Sequence, residues 1–244
     1  GETPLSVQWV WPSIAPYSER HETLMDFSAR LCTEWMNFDG AGHALEIGHD
    51  FLFGQLPGIL KSYNLEHRSG KEPMPWLAAL VCASAFDLAL HDAYGVAGDC
   101  PTYQAYGSAN LNRDLSAFLE PAANASADFA GAAPADFLVS APKTKLPVWH
   151  LVGGMDPLTS DELTGGEPDD GYPVHLEEWI ARDGLNCLKI KLRGNDADWD
   201  YERLVAIGKI ANRMEVDWLT TDFNCTVTDP AYVNEILDRL VLDE

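Results

Sequence analysis

Two short stretches of this sequence carry residues that could do chemistry. The first is NCLKIKLRG, residues 186–194, which sets Lys189 and Lys191 two apart in an otherwise apolar run. The second, TTDFNC at 220–225, sets Asp222 and Asn224 at the same spacing. In a strand, residues i and i+2 share a face. Lys189 and Lys191 then point one way, and Leu188, Ile190 and Leu192 point the other. Two unpaired ammonium groups on an inward face are costly. A lysine withdrawn from water beside a second cation gives up its proton readily and can act as a general base. Asp222 follows Lys191 by about one βα unit, which brings all four residues to the same ends of adjacent parallel strands. The plainer alternatives are an edge strand whose lysines reach solvent and an aspartate that serves as a cap or turn residue.

The elements that would position these residues differ between the two halves. In the first half, ETLMDFSARLCTEW alternates, with Met25, Phe27, Ala29 and Leu31 on one side, the period of a strand. FDGAGHALEIG offers Asp39-Gly40 as a turn with a second short strand after it. A long helix is expected over PMPWLAALVCASAFDLALHDAYG, between Pro75 and Gly95, with Leu77, Leu80, Val81, Ser84, Leu88 and His91 along one stripe. Strands followed by a helix imply an α+β unit. Residues 121–145, rich in Ala, Pro, Ser and Asp, read as a surface connection. The second half alternates: LPVWHLVGG as a strand, an acidic loop over 156–173, HLEEWIARDG as a helix closed by Gly184, then NCLKIKLRG, a helix over 198–213, VDWLTTDFN, and a helix opened by Asp229-Pro230. That βαβαβα order predicts a parallel sheet with helical crossovers.

Composition narrows the partners. The formal net charge is −22, which argues against nucleic acid and anionic membrane surfaces. The apolar run from Trp76 to Phe86 is interrupted by Asp87 and is short for a bilayer span. The cysteines, Cys32, Cys82, Cys100, Cys187 and Cys225, are odd in number and lack metal-ligand spacing, as expected of reduced thiols in a cytoplasmic protein.

LKIK and DFN, taken with ASAFDLALHDAYG, GAGHALEIG and LPVWHLVGG, resemble the enolase superfamily, in particular its mandelate racemase and muconate lactonizing enzyme group. The resemblance implies an α+β capping domain, placed at 1–135, followed over 136–244 by the first three βα units of a (β/α)8-type barrel. It implies Mg²⁺, a small carboxylate substrate and removal of the proton α to that carboxylate. Lys191 would be the base, Lys189 would contact the substrate carboxylate, Asp222 would be a metal ligand, and Asn224 would lie near the substrate. Relatives of this kind are often homo-oligomers. The family's other metal ligands and second acid/base lie on later strands, so the chain is expected to be part of a longer protein.

Within the group, acid-sugar dehydration is the favoured activity, with racemisation, epimerisation or cycloisomerisation as the enzymatic alternative. A non-catalytic protein that kept the fold is the alternative from another class. Among the remaining candidates, His91 reads as a core histidine, His43 as structural or exposed, and Trp149 and Trp218 as packing residues. His150 is placed at the end of its strand, on the chemical side, as a pocket residue.

Overall fold

The computed structural model describes residues 4–224 and 226–242. Cys225, expected above as a reduced thiol, lies outside the described residues. The chain divides into two compact units, Gly1–Ala141 and Pro142–Glu244.

The first unit is helical, and this corrects the α+β capping domain expected for it. Helix α1 runs Tyr17–Met36 through the segment read as an alternating strand. Its buried positions include Leu24, Phe27 and Leu31, a 3.6-residue repeat, whereas Met25 is exposed. The strand reading used the wrong period because it passed over Leu24. Helix α2, Ala44–Asp50, replaces the second expected strand. Here the sequence His-Ala-Leu-Glu is a capping box with an unusual cap. His43 Nδ1 accepts from the Leu45 N–H at 3.1 Å, and Glu46 reaches back to the His43 N–H at 2.9 Å. A short π-helical turn, Phe51–Gln55, leads into α3, Leu56–His67.

Helix α4 spans Trp76–Ala97 with Pro75 as its N-cap, so it runs past Gly95 and ends at Gly98. Its buried face is small (Ala78, Ala79, Cys82 and Ala83), while Leu77 and Leu88 from the expected stripe are exposed. The small side chains let α1 come close, and Cys82 Sγ lies 3.5 Å from the Leu24 carbonyl. Burial pushes the Cys82 thiol up to about 11, so it packs as a small hydrophobe. By length and composition α4 is also apolar enough to cross a membrane.

The second unit holds three parallel strands in the order β1-β2-β3: His150–Val152, Cys187–Lys191 and Trp218–Asp222. Helices α5 (Leu176–Asp183), α6 (Ala197–Arg213) and α7 (Pro230–Leu242) follow them in turn. Gly184 closes α5 in the left-handed conformation, φ 62°. Leu188, Ile190 and Leu192 are fully buried in one cluster with Leu176, Ile180, Ile207, Ile210 and Ile236 of the helices. Each contributes roughly 1.5–3 kcal/mol by leaving water.

The expected fold, a capping α+β domain and the opening units of a barrel, is therefore replaced by a helical unit and a unit built on one small open sheet. Strands of three, five and five residues make a ribbon too narrow to close on itself. The strand expected over LPVWHLVGG is reduced to His150–Val152.

His43 is nearly inaccessible, and it faces His91 and Tyr94 of α4, Tyr106 beyond them and Glu46 of its own helix. Burial, then the neighbouring His91, pushes its imidazole below the usual range, against the pull of Glu46. A depressed histidine value means that the unfolded chain binds the proton first, so stability falls as pH drops below about 6.5. We expect His43→Asn, which keeps a capping acceptor, to flatten the stability profile between about pH 5 and 7. Urea unfolding at several pH values checks this, and an unchanged slope would remove His43 from the account.

Candidate functional site

The site is built at the ends of β2 and β3. Parallel pairing sets Lys189 beside Thr220 and Lys191 beside Asp222. Since neighbours in register share a face, the helix-covered side takes Leu188, Ile190 and Leu192, and the other side takes the lysines and Asp222. Both ammonium groups converge on one oxygen. Asp222 Oδ2 lies 2.5 Å from Lys191 Nζ and 2.9 Å from Lys189 Nζ. Lys191 Nζ also donates to Asn224 Oδ1 at 2.7 Å. All four residues singled out in the sequence thus stand together.

Asn224 is fixed by backbone geometry. It is left-handed, φ 54°, a conformation asparagine tolerates better than most residues. There its N–H donates to Asp222 Oδ1 at 2.9 Å, and its side-chain amide donates to the Leu192 carbonyl at 3.0 Å. Lys191 first, then Lys189 and the Asn224 N–H, hold the Asp222 carboxyl well below the usual carboxylate range. A depressed carboxylate value means this contact stabilises the fold above about pH 4 and is lost as pH falls through the folded value.

The setting differs from the expectation in one respect. The lysine side chains are neither unpaired nor deeply buried: Lys189 is 41% exposed and Lys191 28%. They sit on the central strand rather than an edge, on the face opposite the one packed by α5, α6 and α7. Trp149, Leu151 and Trp218 are exposed as well, so the two tryptophans are not the packing residues expected of them.

The loops around the site are held by residues that sequence reasoning passed over. Asp200, fully buried in the first turn of α6, accepts from the Arg193 N–H at 2.7 Å, the Gly194 N–H at 2.8 Å and the Tyr232 hydroxyl at 2.7 Å. It ties the turn after β2 to α7. Thr226 donates to the Arg193 carbonyl at 2.6 Å, which joins the β2 and β3 loops. Arg203 donates to the carbonyls of Gly153 and Asp156 and pins the turn after β1. The acidic start of DWDYER reads as ordinary helix-dipole complementation, and only the preceding strand and Gly194 hint that one acid turns inward.

The other histidines settle elsewhere. His91 lies against the Tyr106 hydroxyl at 3.0 Å, and His43 is the buried cap described above. His150 begins β1 rather than ending it and pairs in register with Leu188, so it belongs to the helix side.

Asp222 and Asn224 offer hard oxygens of the kind Mg²⁺ prefers. They are too few for a centre, and a cation at Asp222 would compete with two ammonium groups for one oxygen. Among the described residues no group of three or more His, Cys, Asp or Glu side chains could hold a metal ion. The residues present therefore do not fit a magnesium centre by themselves. No protein-family model, curated protein or solved structure matches the sequence.

The buried Asp200 gives a direct test of how the site is positioned. Asp200→Ala strands two backbone donors and a hydroxyl and should cost about 3 kcal/mol or more. Tyr232→Phe removes one bond to a carboxylate and an exposed one from the Asp196 N–H, and should cost about 1–2 kcal/mol. Urea denaturation of the two variants checks the order, and a larger loss for Tyr232→Phe would contradict it.

Proposed function

We propose that this chain serves an enzyme that removes the proton α to the carboxylate of a small organic acid, with dehydration of an acid sugar as the favoured outcome. The observation that carries this reading is the convergence of Lys189 and Lys191 on the single carboxylate of Asp222. Two ammonium groups and one carboxylate leave one positive charge in excess, in a chain of net charge −22. That excess is what an anionic substrate neutralises.

Lys189, the more exposed of the two, receives the substrate carboxylate. Lys191 acts as the base. Its Nζ has two fixed acceptors, Asp222 Oδ2 and Asn224 Oδ1. Those two bonds fill two of the three N–H positions of the ammonium, so the proton that must leave before Lys191 can act as a base is the third, and the lone pair it leaves takes that one unfilled position. Asn224 holds that orientation and lies within reach of substrate hydroxyls. An α-proton of a carboxylate is too weakly acidic for lysine alone, and the resemblance to the enolase superfamily implies Mg²⁺ as the further stabiliser of the enediolate. No step is assigned to the metal, because the described residues do not form its site. Racemisation, epimerisation and cycloisomerisation begin with the same proton removal.

A second reading, carboxylate binding without chemistry, is favoured by the exposure of the lysines and by both being paired with Asp222. Deuterium exchange separates the two. Incubated in D2O with a panel of acid sugars, with and without Mg²⁺, the protein should exchange the α-proton of at least one of them. Lys191→Ala should slow that exchange by about 10²–10⁴-fold. Substrate that binds but does not exchange would leave the binding reading, and exchange untouched by Lys191→Ala would remove Lys191 as the base.

A further inference from the structure

A cavity of about 470 Å³ lies on the other side of β1, bounded by α5 and the acidic loop that follows β1. It plays no part in the chemistry proposed above. The size suits a small-molecule ligand. Its walls are aromatic: the Trp179 indole stands 5.1 Å from the His150 ring and 6.2 Å from Tyr172, measured between ring centres. Asp156, Glu167 and Asp170 line the same space, and neither lysine nor arginine does.

We propose that this cavity binds a small organic cation of the ammonium class, seated against Trp179 and Tyr172 and drawn in by the three carboxylates. Aromatic faces attract cations through the ring quadrupole, and quaternary ammonium groups are the ligands such walls favour. One cation of the chain itself already sits at these two rings, so the ligand displaces it or takes the ring faces it leaves free. The Arg182 guanidinium carbon lies 4.7 Å from the centre of Trp179 and 5.3 Å from that of Tyr172. The carboxylates are held in place by the loop backbone. Glu167 accepts from the Thr164 and Gly165 N–H groups at 2.6 and 2.8 Å, Asp170 from the Tyr172 N–H at 3.1 Å, and Asp156 from the Gly153 N–H at 2.6 Å. The N–H donors on Glu167 hold it ionised far into acid, at about 2. Burial pushes the His150 imidazole toward its neutral form, so it adds an aromatic wall and no opposing charge.

The test compares choline with 3,3-dimethylbutanol, its uncharged carbon counterpart, by calorimetric titration of the whole chain at pH 8. Choline should bind saturably and at least tenfold more tightly than the alcohol. Trp179→Leu should weaken choline binding at least tenfold. Tyr172→Ala, at an exposed ring whose loss leaves the core intact, should weaken it severalfold and keeps the test valid if Trp179→Leu disturbs folding. Equal binding of the two probes, no binding of choline, or choline binding unchanged in Tyr172→Ala would overturn the proposal.

Discussion

Everything at the candidate site depends on the alternation of side chains along β2. Leu188, Ile190 and Leu192 are drawn into the helix layer by the apolar area they bury, and the pleat then fixes Lys189 and Lys191 on the opposite face. A slip of one residue would place two ammonium groups among Ile207, Ile210 and Ile236, at a cost larger than the stability of a small unit. The hydrophobic set thus decides where the charged set goes. Register with β3 does the rest, because it makes Asp222 the neighbour of Lys191.

The same alternation separates two regions of opposite character within one unit. On β1, Leu151 falls beside Lys189, while His150 and Val152 fall on the helix side and line the cavity near α5. One face of the sheet therefore presents excess positive charge, and the cavity behind it collects carboxylates and aromatic rings. In a strongly acidic chain the first is the exception. An anion approaching the molecule is repelled at long range by the net charge and attracted at short range by Lys189 and Lys191.

What the sequence revealed and what it hid follow from how local each signal is. LKIK and DFN were legible because a period of two, an apolar run and one βα spacing are enough to bring four residues together. Gly184 and Asp229-Pro230 were legible for the same reason, since a cap acts within one turn. Helix α1 was not, because Met25, Phe27, Ala29 and Leu31 alternate by coincidence while burial picks out Leu24, Phe27 and Leu31. Helix α2 was missed because its cap is histidine, and a neutral imidazole nitrogen accepts the N–H that serine or aspartate usually takes. On α4 the large residues misled: closeness to α1 demands alanine and cysteine, so Leu77 and Leu88 of the apparent stripe are left outside while Leu80 and Val81 pack only at the rim of the core. Arg203 and Glu46 are hidden because their partners are backbone groups of distant loops, and Asp200 because one of its partners, the Tyr232 hydroxyl, lies a whole βα unit away.

The exposure of the lysine face constrains any catalytic role. Proton transfer to an amine gains from a dry, pre-organised setting, since water competes for every hydrogen bond that orients the base. Asp222 and Asn224 supply the orientation, but with Lys191 28% exposed they do not supply the dryness. Parallel sheets are normally covered on both faces. On this one Leu151 and Trp218 flank the lysines and are open to solvent. The missing exclusion of water must come from the substrate or from whatever packs over Leu151 and Trp218, so the four residues are a preorganised charge constellation whose chemistry is set by what closes over it.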